Sequence, residues 1–251
     1  MAAAIPLRNY QLRIVHSCMR ANTVVLLPTG AGKTLIAAEA ILRMQKKALF
    51  LVPTIPLVAQ QATALRSCPG MLHVGEYHGE LDVPRGVHIL VTTPKAFETA
   101  QQRGEPTFAW SAFSAVVFDE VHHVIKDHPF RSLAMKLRAS GCSPRVIGLT
   151  ASLTYAIGKE KINNSMQKLC FELRIETIEH ASDKELRDGR VPRRRPWCCR
   201  GNPGAGDFTT FRRCAPARAK TAFDARNILQ THSSRQGHAF QSCARSASPG
   251  N

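Results

Sequence analysis

Two short stretches carry residue types that can do chemistry together. The first is LLPTGAGKT, residues 26–34, an apolar run that breaks into a glycine-rich turn and ends on Lys33 and Thr34. Glycine at positions 30 and 32 admits backbone conformations that other residues resist, so successive N–H groups can point inward and cradle an anion. A helix beginning at Lys33 adds the favourable end of its dipole. In such a loop Thr29, Gly30, Ala31 and Gly32 line the phosphates of a nucleoside triphosphate such as ATP. The Lys33 ammonium reaches the β- and γ-phosphates, and the Thr34 hydroxyl ligates Mg²⁺. The strict pattern has a further glycine five positions before Gly32, where this chain has Leu27; the form present is PTGAGKT.

The second stretch is VVFDEVHH, residues 116–123, with Asp119 and Glu120 just after an apolar run. An acidic residue at that place holds Mg²⁺ directly or through water, which is the role read for Asp119. Glu120 is placed to orient and deprotonate an attacking water. Two adjacent carboxylates in a turn are often only solvated surface; the glycine-rich loop elsewhere in the chain is what makes this pair a candidate. Lys33, Asp119 and Glu120 are therefore the candidate catalytic residues, with Thr34 and Asp119 the Mg²⁺ ligands. His122, His123 and His128 put three imidazoles within seven residues, but no cysteine or further ligand spacing completes a structural zinc site. Upstream, LRNYQ (7–11) supplies Gln11, whose amide donates and accepts at once and so matches an adenine edge, with Arg8 to assist. Taken alone, that segment reads as a polar helix surface.

These residues need elements to hold them. The runs TVVLLP (23–28), ALFLVP (48–53), VHILVTTP (87–94), AVVFDEV (115–121) and RVIGLTAS (145–152) are nearly continuous in Val, Ile and Leu. Strands buried on both faces have that composition. MLHVGEY (71–77) and FELRIETIE (171–179) are weaker strand candidates. Between them, residues 6–19, 33–45, 55–66, 95–103 and 130–139 have helical character, the first with Pro6 near its first turn. The alternation predicts a doubly wound α/β sheet, whose ligands bind at the carboxyl ends of the strands. The phosphate loop and the acid pair both fall at such ends.

The 251 residues carry a formal net charge of +16, which points to a polyanionic partner. That charge is uneven: residues 1–189 hold 22 Lys and Arg against 16 Asp and Glu, and residues 190–251 hold 12 against 2. The eight cysteines include no CxxC pair, and Cys18, Cys68, Cys142 and Cys170 sit singly, as small core or surface residues do. The opening MAAAIPLRNYQLR lacks a secretory apolar region and no apolar run reaches membrane-spanning length. The expectation is an intracellular protein, cytoplasmic or nuclear, with no membrane partner. The domain boundary is read at 188/189. After it only Val191, Ile228 and Leu229 represent the aliphatic branched residues, and arginine outnumbers lysine eleven to one. Such a segment cannot offset its chain entropy by burial, so it is expected to be a disordered basic tail, out of frame or mis-joined in preference to native. The RRR at 193–195 reads as a solvated charge run before a nuclear signal or phosphate patch.

Taken in order, these blocks resemble those of a superfamily 2 helicase of the DExH type. LRNYQ is similar to the adenine-reading motif, PTGAGKT to motif I, LVPTIPLVAQQ to motif Ia, VTTPKAF to motif Ib, DEVH to motif II and LTAS to motif III, all within residues 5–152. LRNYQ, VPTIPLVAQQ, DEVHHVIKDHPF and GEYHGELDV look most like Dicer and the related RNA-sensing helicases. Hef-type DNA translocases stand as the alternative. The resemblance implies a RecA-like P-loop NTPase domain, a parallel sheet flanked by helices, over residues 1–188. It implies that Arg8 and Gln11 read adenine, that residues 30–34 hold ATP–Mg²⁺, and that Pro53, Thr54, Gln60, Thr93 and Pro94 lie near a nucleic-acid backbone, double-stranded RNA in the Dicer-like case. Contacts to phosphate and sugar are sequence-independent. His122, Thr150 and Ser152 would link nucleotide state to nucleic-acid grip. Helicases of this kind use a second RecA-like domain that supplies an arginine finger from a QRxGRxxR-like motif. No such string occurs here, so the chain alone is expected to hydrolyse ATP weakly or not at all, or to act as a non-catalytic RNA- or partner-binding fragment.

Overall fold

The aliphatic runs become seven parallel strands in the computed structural model of the chain, which describes residues 6–45, 47–68, 70, 73–79, 85–125, 128–152 and 167–188. The strands are β1 (Thr23–Leu26), β2 (Ala48–Leu51), β3 (Val74–Tyr77), β4 (Ile89–Thr92), β5 (Ala115–Asp119), β6 (Arg145–Thr150) and β7 (Thr177–His180). They lie in the order β3-β4-β2-β5-β6-β1-β7. The helices are α1 (Asn9–Arg20), α2 (Lys33–Met44), α3 (Ile55–Arg66), α4 (Pro94–Gln102), α5 (Pro129–Ala139), α6 (167–173) and α7 (Asp183–Asp188).

Burial explains why the central strands carry no polar alternation. Every residue of β2, β4 and β5 is buried, as helices on both faces of a parallel sheet require. One face, with Val25, Phe50, Val91, Val117 and Ile147, forms a single core with the inward residues of α1, α2 and α3. The small side chains Ala37, Ala38 and Ala40 let α2 lie close to the sheet. The other face is aromatic: Phe118 meets Phe130 of α5 edge-on at 5.6 Å, and Phe97 of α4 packs on Trp110 at 4.9 Å between ring centroids. The edge strand β7 is only half-buried and is tied to α1 by the Ser17 hydroxyl donating to Glu179 at 2.6 Å and by the Arg13–Glu179 ion pair.

Three expectations change. Helix α1 begins at Asn9 with Arg8 as its N-cap, so Pro6 precedes the helix instead of lying in its first turn. Residues 171–173 are helical, and strand β7 starts only at Thr177. Arg174 turns the chain between them at φ 51°, a conformation that neither helix nor strand continues. The strands ending at 28, 53 and 121 in the sequence reading stop at Leu26, Leu51 and Asp119, because the following residues are the loops that form the site. The expected tail from 189 onward lies outside the described residues, as do residues 80–83 of GEYHGELDV. Cys18 and Cys68 are buried and unbonded, and burial pushes the Cys18 thiol up to about 12, in keeping with a core role. Among the described residues no helix is long and apolar enough to cross a membrane.

One glycine is needed for space. A Cβ on Gly148 of β6 would stand 2.9 Å and 3.0 Å from the two γ-carbons of Val121, which opens the 3₁₀ turn Val121–Ile125. Gly148→Ala is expected to destabilise the protein by about 1–3 kcal/mol through that overlap. The loss exceeds the ~0.5–1 kcal/mol that alanine gains over glycine in a strand. A thermal melt of the variant at or above the wild-type midpoint would show that the turn yields without cost.

Candidate nucleotide site and nucleic-acid face

The glycine-rich loop leaves β1 and enters α2 through two left-handed glycines, Gly30 at φ 81° and Gly32 at φ 86°. Gly32 is the N-cap of α2, and no side chain caps that end. The first-turn N–H groups of α2 are thus available to an anion. A Cβ on Gly32 would lie 2.5 Å from Gln11 Nε2, so that amide would have to shift, and the φ of 86° itself favours glycine there. Leu27 N–H donates to Thr150 O at 3.1 Å, which ties the loop to the end of β6. The Lys33 ammonium is folded back on the loop, donating to Leu27 O at 3.1 Å and Pro28 O at 3.4 Å. Backbone carbonyls are weak partners for a cation compared with phosphate oxygens, so an arriving triphosphate can draw Lys33 away from them.

Helix α1 braces this loop. Tyr10 Oη donates to Ala31 O at 2.9 Å, and Gln11 Nε2 donates to the same carbonyl at 3.1 Å. Gln11 Oε1 accepts from Arg8 N–H at 2.9 Å. Gln11 is therefore fixed against the loop, with Arg8 half-buried beside it. Tyr10 was invisible to motif reading because its part is simply to hold a carbonyl; its burial at a helix position facing the core was the available signal.

The acid pair sits at the end of β5. Asp119 is buried, and burial followed by the neighbouring Glu120 charge pushes its carboxyl up to about 6. Its Oδ1 accepts from Glu120 N–H at 3.1 Å and its Oδ2 from Gln61 Nε2 at 3.0 Å. Glu120 adopts φ 51°, a left-handed turn that lets two consecutive carboxylates stay near one another at the strand end. Its carboxyl is held below the ordinary value, first by the hydrogen bond from His122 and then by the fields of His122 and Lys33, against the effect of burial. Environment thus drives the two neighbours apart, one toward holding a proton and one toward ionisation.

His122 joins this pair to β6. Its Nδ1 lies 3.2 Å from Glu120 Oε2 and 3.0 Å from Thr150 Oγ1. The Thr150 hydroxyl donates its proton to Ser152 O at 2.7 Å and accepts from Ser152 N–H at 3.3 Å. Nδ1 is then the donor to both oxygens, a tautomer assigned from the bonding pattern. The candidate coupling residues His122, Thr150 and Ser152 are thereby brought into one hydrogen-bonded chain that starts on Glu120. His123 stacks between His122 and His128, at 4.3 Å and 4.6 Å between ring centroids.

An Mg²⁺ ion and a triphosphate fit these residues. Two adjacent carboxylates, one of them desolvated and pushed toward protonation, form the site of unrelieved negative charge that a divalent cation offsets. Thr34 would join Asp119 as ligand, because Gln61 already bridges them: Thr34 Oγ1 donates to Gln61 Oε1 at 3.0 Å. Gln61 is a residue sequence reasoning did not single out; its neighbour Gln60 was read only as lying near a nucleic-acid backbone. The signal lay in the helix period, since Gln61 flanks the buried Val58, Ala62 and Leu65 of α3 while Gln60 points away and is exposed.

The candidate backbone-binding residues lie at adjoining carboxyl ends, because Leu51 of β2 is in register with Thr92 of β4. Thr54 is exposed and, although N-cap of α3, makes no side-chain cap bond. Pro53 is half-buried and Gln60 exposed. Thr93 and Pro94 are buried, and the Thr93 hydroxyl caps α4 by accepting from Ala96 N–H at 3.3 Å. The structure presents Thr54 and Gln60 outward and places Thr93 and Pro94 in the packing of α4.

The Asp119 carboxyl predicts a trade between stability and ion binding. A carboxyl raised from 3.8 to about 6 penalises the ionised folded state. The penalty is absent below pH ~4, grows between ~4 and ~6 and is full above, at most about 3 kcal/mol for a two-unit shift. Asp119→Asn is expected to raise unfolding stability at pH 8 by about 1–2 kcal/mol, after loss of one accepted hydrogen bond. That gain should vanish by pH 4. Denaturant titrations at the two pH values measure it, and a variant equally destabilised at both would contradict the account.

Comparison with known proteins agrees with this geometry. A family model described as type III restriction enzyme, res subunit, matches residues 4–154. Endoribonuclease Dicer of Danio rerio is 34% identical over 166 residues, covering 58% of this chain and 9% of that protein. Dicer-like protein 2 of Emericella nidulans is 29% identical over 208 residues, with 72% and 14% covered. The DEAD-box ATP-dependent DNA helicase Fancm of Drosophila melanogaster is 32% identical over 164 residues, with 59% and 11% covered. The chain therefore spans less than a fifth of the length of these relatives. The crystal structure of the Pyrococcus furiosus Hef helicase domain superposes with a TM-score of 0.58 at 33% identity, over 70% of this chain and 38% of that one. The match over residues 4–154 and the phosphate loop, acid pair and parallel sheet within it lead to one conclusion: the chain belongs to the family of the type III restriction enzyme res subunit and carries the first RecA-like, ATP-binding domain of a superfamily 2, DExH-type helicase.

Proposed function

We propose that the chain binds ATP–Mg²⁺ through residues 29–34, Asp119 and Glu120, and binds nucleic-acid backbone, double-stranded RNA, beside the carboxyl ends of β2 and β4. The observation that carries this reading is the convergence of Lys33, Thr34, Asp119 and Glu120 at neighbouring loops, with Gln61 spanning Thr34 and Asp119. Arg8 and Gln11, fixed beside the loop, are in place to meet the base of the nucleotide. The bound ion would supply charge neutralisation for the phosphates. The chain's own contribution is to hold Lys33 near the phosphates and to keep Glu120 ionised as acceptor of a water proton. RNA is favoured by the Dicer relatives; the Fancm DNA helicase favours DNA as the second reading.

Hydrolysis by the 251-residue chain alone is proposed to be slow. Among the described residues, the groups whose charge lowers the Asp119 or Glu120 carboxyl are Lys33, His122 and His123, and none is an arginine. An arginine finger is worth about 10³–10⁵ in turnover in related phosphoryl-transfer enzymes. The expected outcome is nucleotide binding that Lys33→Ala abolishes, with little ATP turnover and weak stimulation by duplex RNA. Robust RNA-stimulated turnover by the isolated chain would overturn the slow-hydrolysis proposal. Competition between duplex RNA and duplex DNA at fixed salt separates the two partners. RNA affinity indifferent to both ATP and Lys33→Ala would instead describe a passive binding module.

A further inference from the structure

We propose that Gln61 is a positioning residue of the metal–phosphate site, which orients Thr34 and Asp119 as ion ligands and ties both to helix α3. The proposal rests on the ATP–Mg²⁺ reading and deepens it. Gln61 Oε1 accepts from Thr34 Oγ1 at 3.0 Å, and Gln61 Nε2 donates to Asp119 Oδ2 at 3.0 Å.

The direction of these bonds decides what Gln61 does. A carboxylate only accepts, so the Nε2 end of the amide must face Asp119 and the Oε1 end must face Thr34. The Thr34 hydroxyl then gives its proton to Gln61. A hydroxyl that binds a cation does so with oxygen lone pairs, and its proton must have somewhere else to go. Gln61 Oε1 accepts the hydrogen bond of that proton and leaves lone pairs of Thr34 Oγ1 to the ion. At the other end, Oδ2 of Asp119 is fixed by Gln61 and Oδ1 by Glu120 N–H at 3.1 Å, so the carboxylate plane is set from both sides. Gln61 is thus an outer partner of two ligands at once, the kind of group that fixes ligand orientation and strengthens metal binding.

The placement on α3 gives the contact a second consequence. The same helix begins with the exposed Thr54 as N-cap and carries the exposed Gln60 beside Gln61. Its packing side, Val58, Ala62 and Leu65, is fully buried. A close-packed helix moves as a unit, so a shift of its outer side reaches Thr34 and Asp119 through Gln61. This route meets the one that runs from Glu120 through His122 to Thr150 only at the acid pair.

The test uses the full chain and a fluorescent ATP analogue, titrated in EDTA and across a range of Mg²⁺ concentrations. Gln61→Met keeps the length and volume of the side chain and removes both polar ends. The expected result is a 10–100-fold rise in the Mg²⁺ concentration needed for half-maximal enhancement of nucleotide binding. Affinity in EDTA and the thermal midpoint should stay near wild type, which a merely structural role for Gln61 would not leave in place. Gln61→Glu keeps an acceptor for Thr34 but sets a carboxylate against Asp119; it should bind the analogue in EDTA more weakly than Gln61→Met does. A Met variant with wild-type Mg²⁺ dependence overturns the positioning role alone. A wild-type chain that binds the analogue with no Mg²⁺ dependence overturns both this role and the ATP–Mg²⁺ reading.

Discussion

The organising constraint is the desolvated carboxyl of Asp119 beside Glu120 at the end of β5. Burial makes the Asp119 charge costly, and the adjacent Glu120 makes it costlier. Nearly every polar contact near that strand end answers this problem. Asp119 receives two N–H donors, Glu120 receives His122, and Lys33 lies close enough for its charge to lower both carboxyls. These contacts reduce the penalty without removing it, since Asp119 still stands about two units above its ordinary value. A folded protein that keeps such a charge pays in stability for a group held ready for an ion.

The sheet makes that arrangement possible by bringing distant segments to one edge. Because β6 lies between β1 and β5, the loop after β1 and the strand end at Asp119 are separated only by β6. The register then fixes heights: Leu26 stands opposite Thr150, and Asp119 opposite Leu149. Thr150 is therefore level with the start of the phosphate loop. Its carbonyl takes Leu27 N–H while its hydroxyl faces His122. One residue of β6 contacts both the glycine-rich loop and the turn that carries the acid pair. Gly148, two residues earlier, gives Val121 the space that this turn needs.

Much of this was legible in the sequence, and the reasons are physical. Five aliphatic runs became buried strands because a parallel sheet covered on both faces tolerates nothing else, and all five predicted helices formed within a few residues of their expected bounds. The shape of the glycine-rich loop was legible because glycine spacing constrains the backbone directly. Contacts between side chains remote in sequence were not legible. Gln61 is 58 residues from Asp119 and 27 from Thr34, and nothing in the local text separates it from Gln60 except helical phase. Tyr10 was missed for the same reason, its partner Ala31 being a backbone carbonyl with no signature of its own. The misread strand at 171–179 failed differently: FELRIETIE alternates well enough for a strand, but its first residues pack as a helix and Arg174 breaks the run.

Helices α1, α2 and α3 pack on one face of the sheet, and each reaches the site with a polar side chain placed next to a packed apolar stripe. Gln11 stands beside Ile14 and Val15, Thr34 beside Ile36 and Ala37, and Gln61 beside Ala62 and Leu65. The apolar residues fix the helix axes to the sheet with little freedom. The polar ones are thereby held at their positions without a dedicated scaffold. This explains why both ends of each amide engage a neighbour: Gln11 with Ala31 and Arg8, Gln61 with Thr34 and Asp119. It also means that the spacing of Thr34 and Asp119 is not independent of the position of α3. Any displacement of that helix relative to the sheet must either stretch one of the two Gln61 bonds or carry a candidate ligand with it.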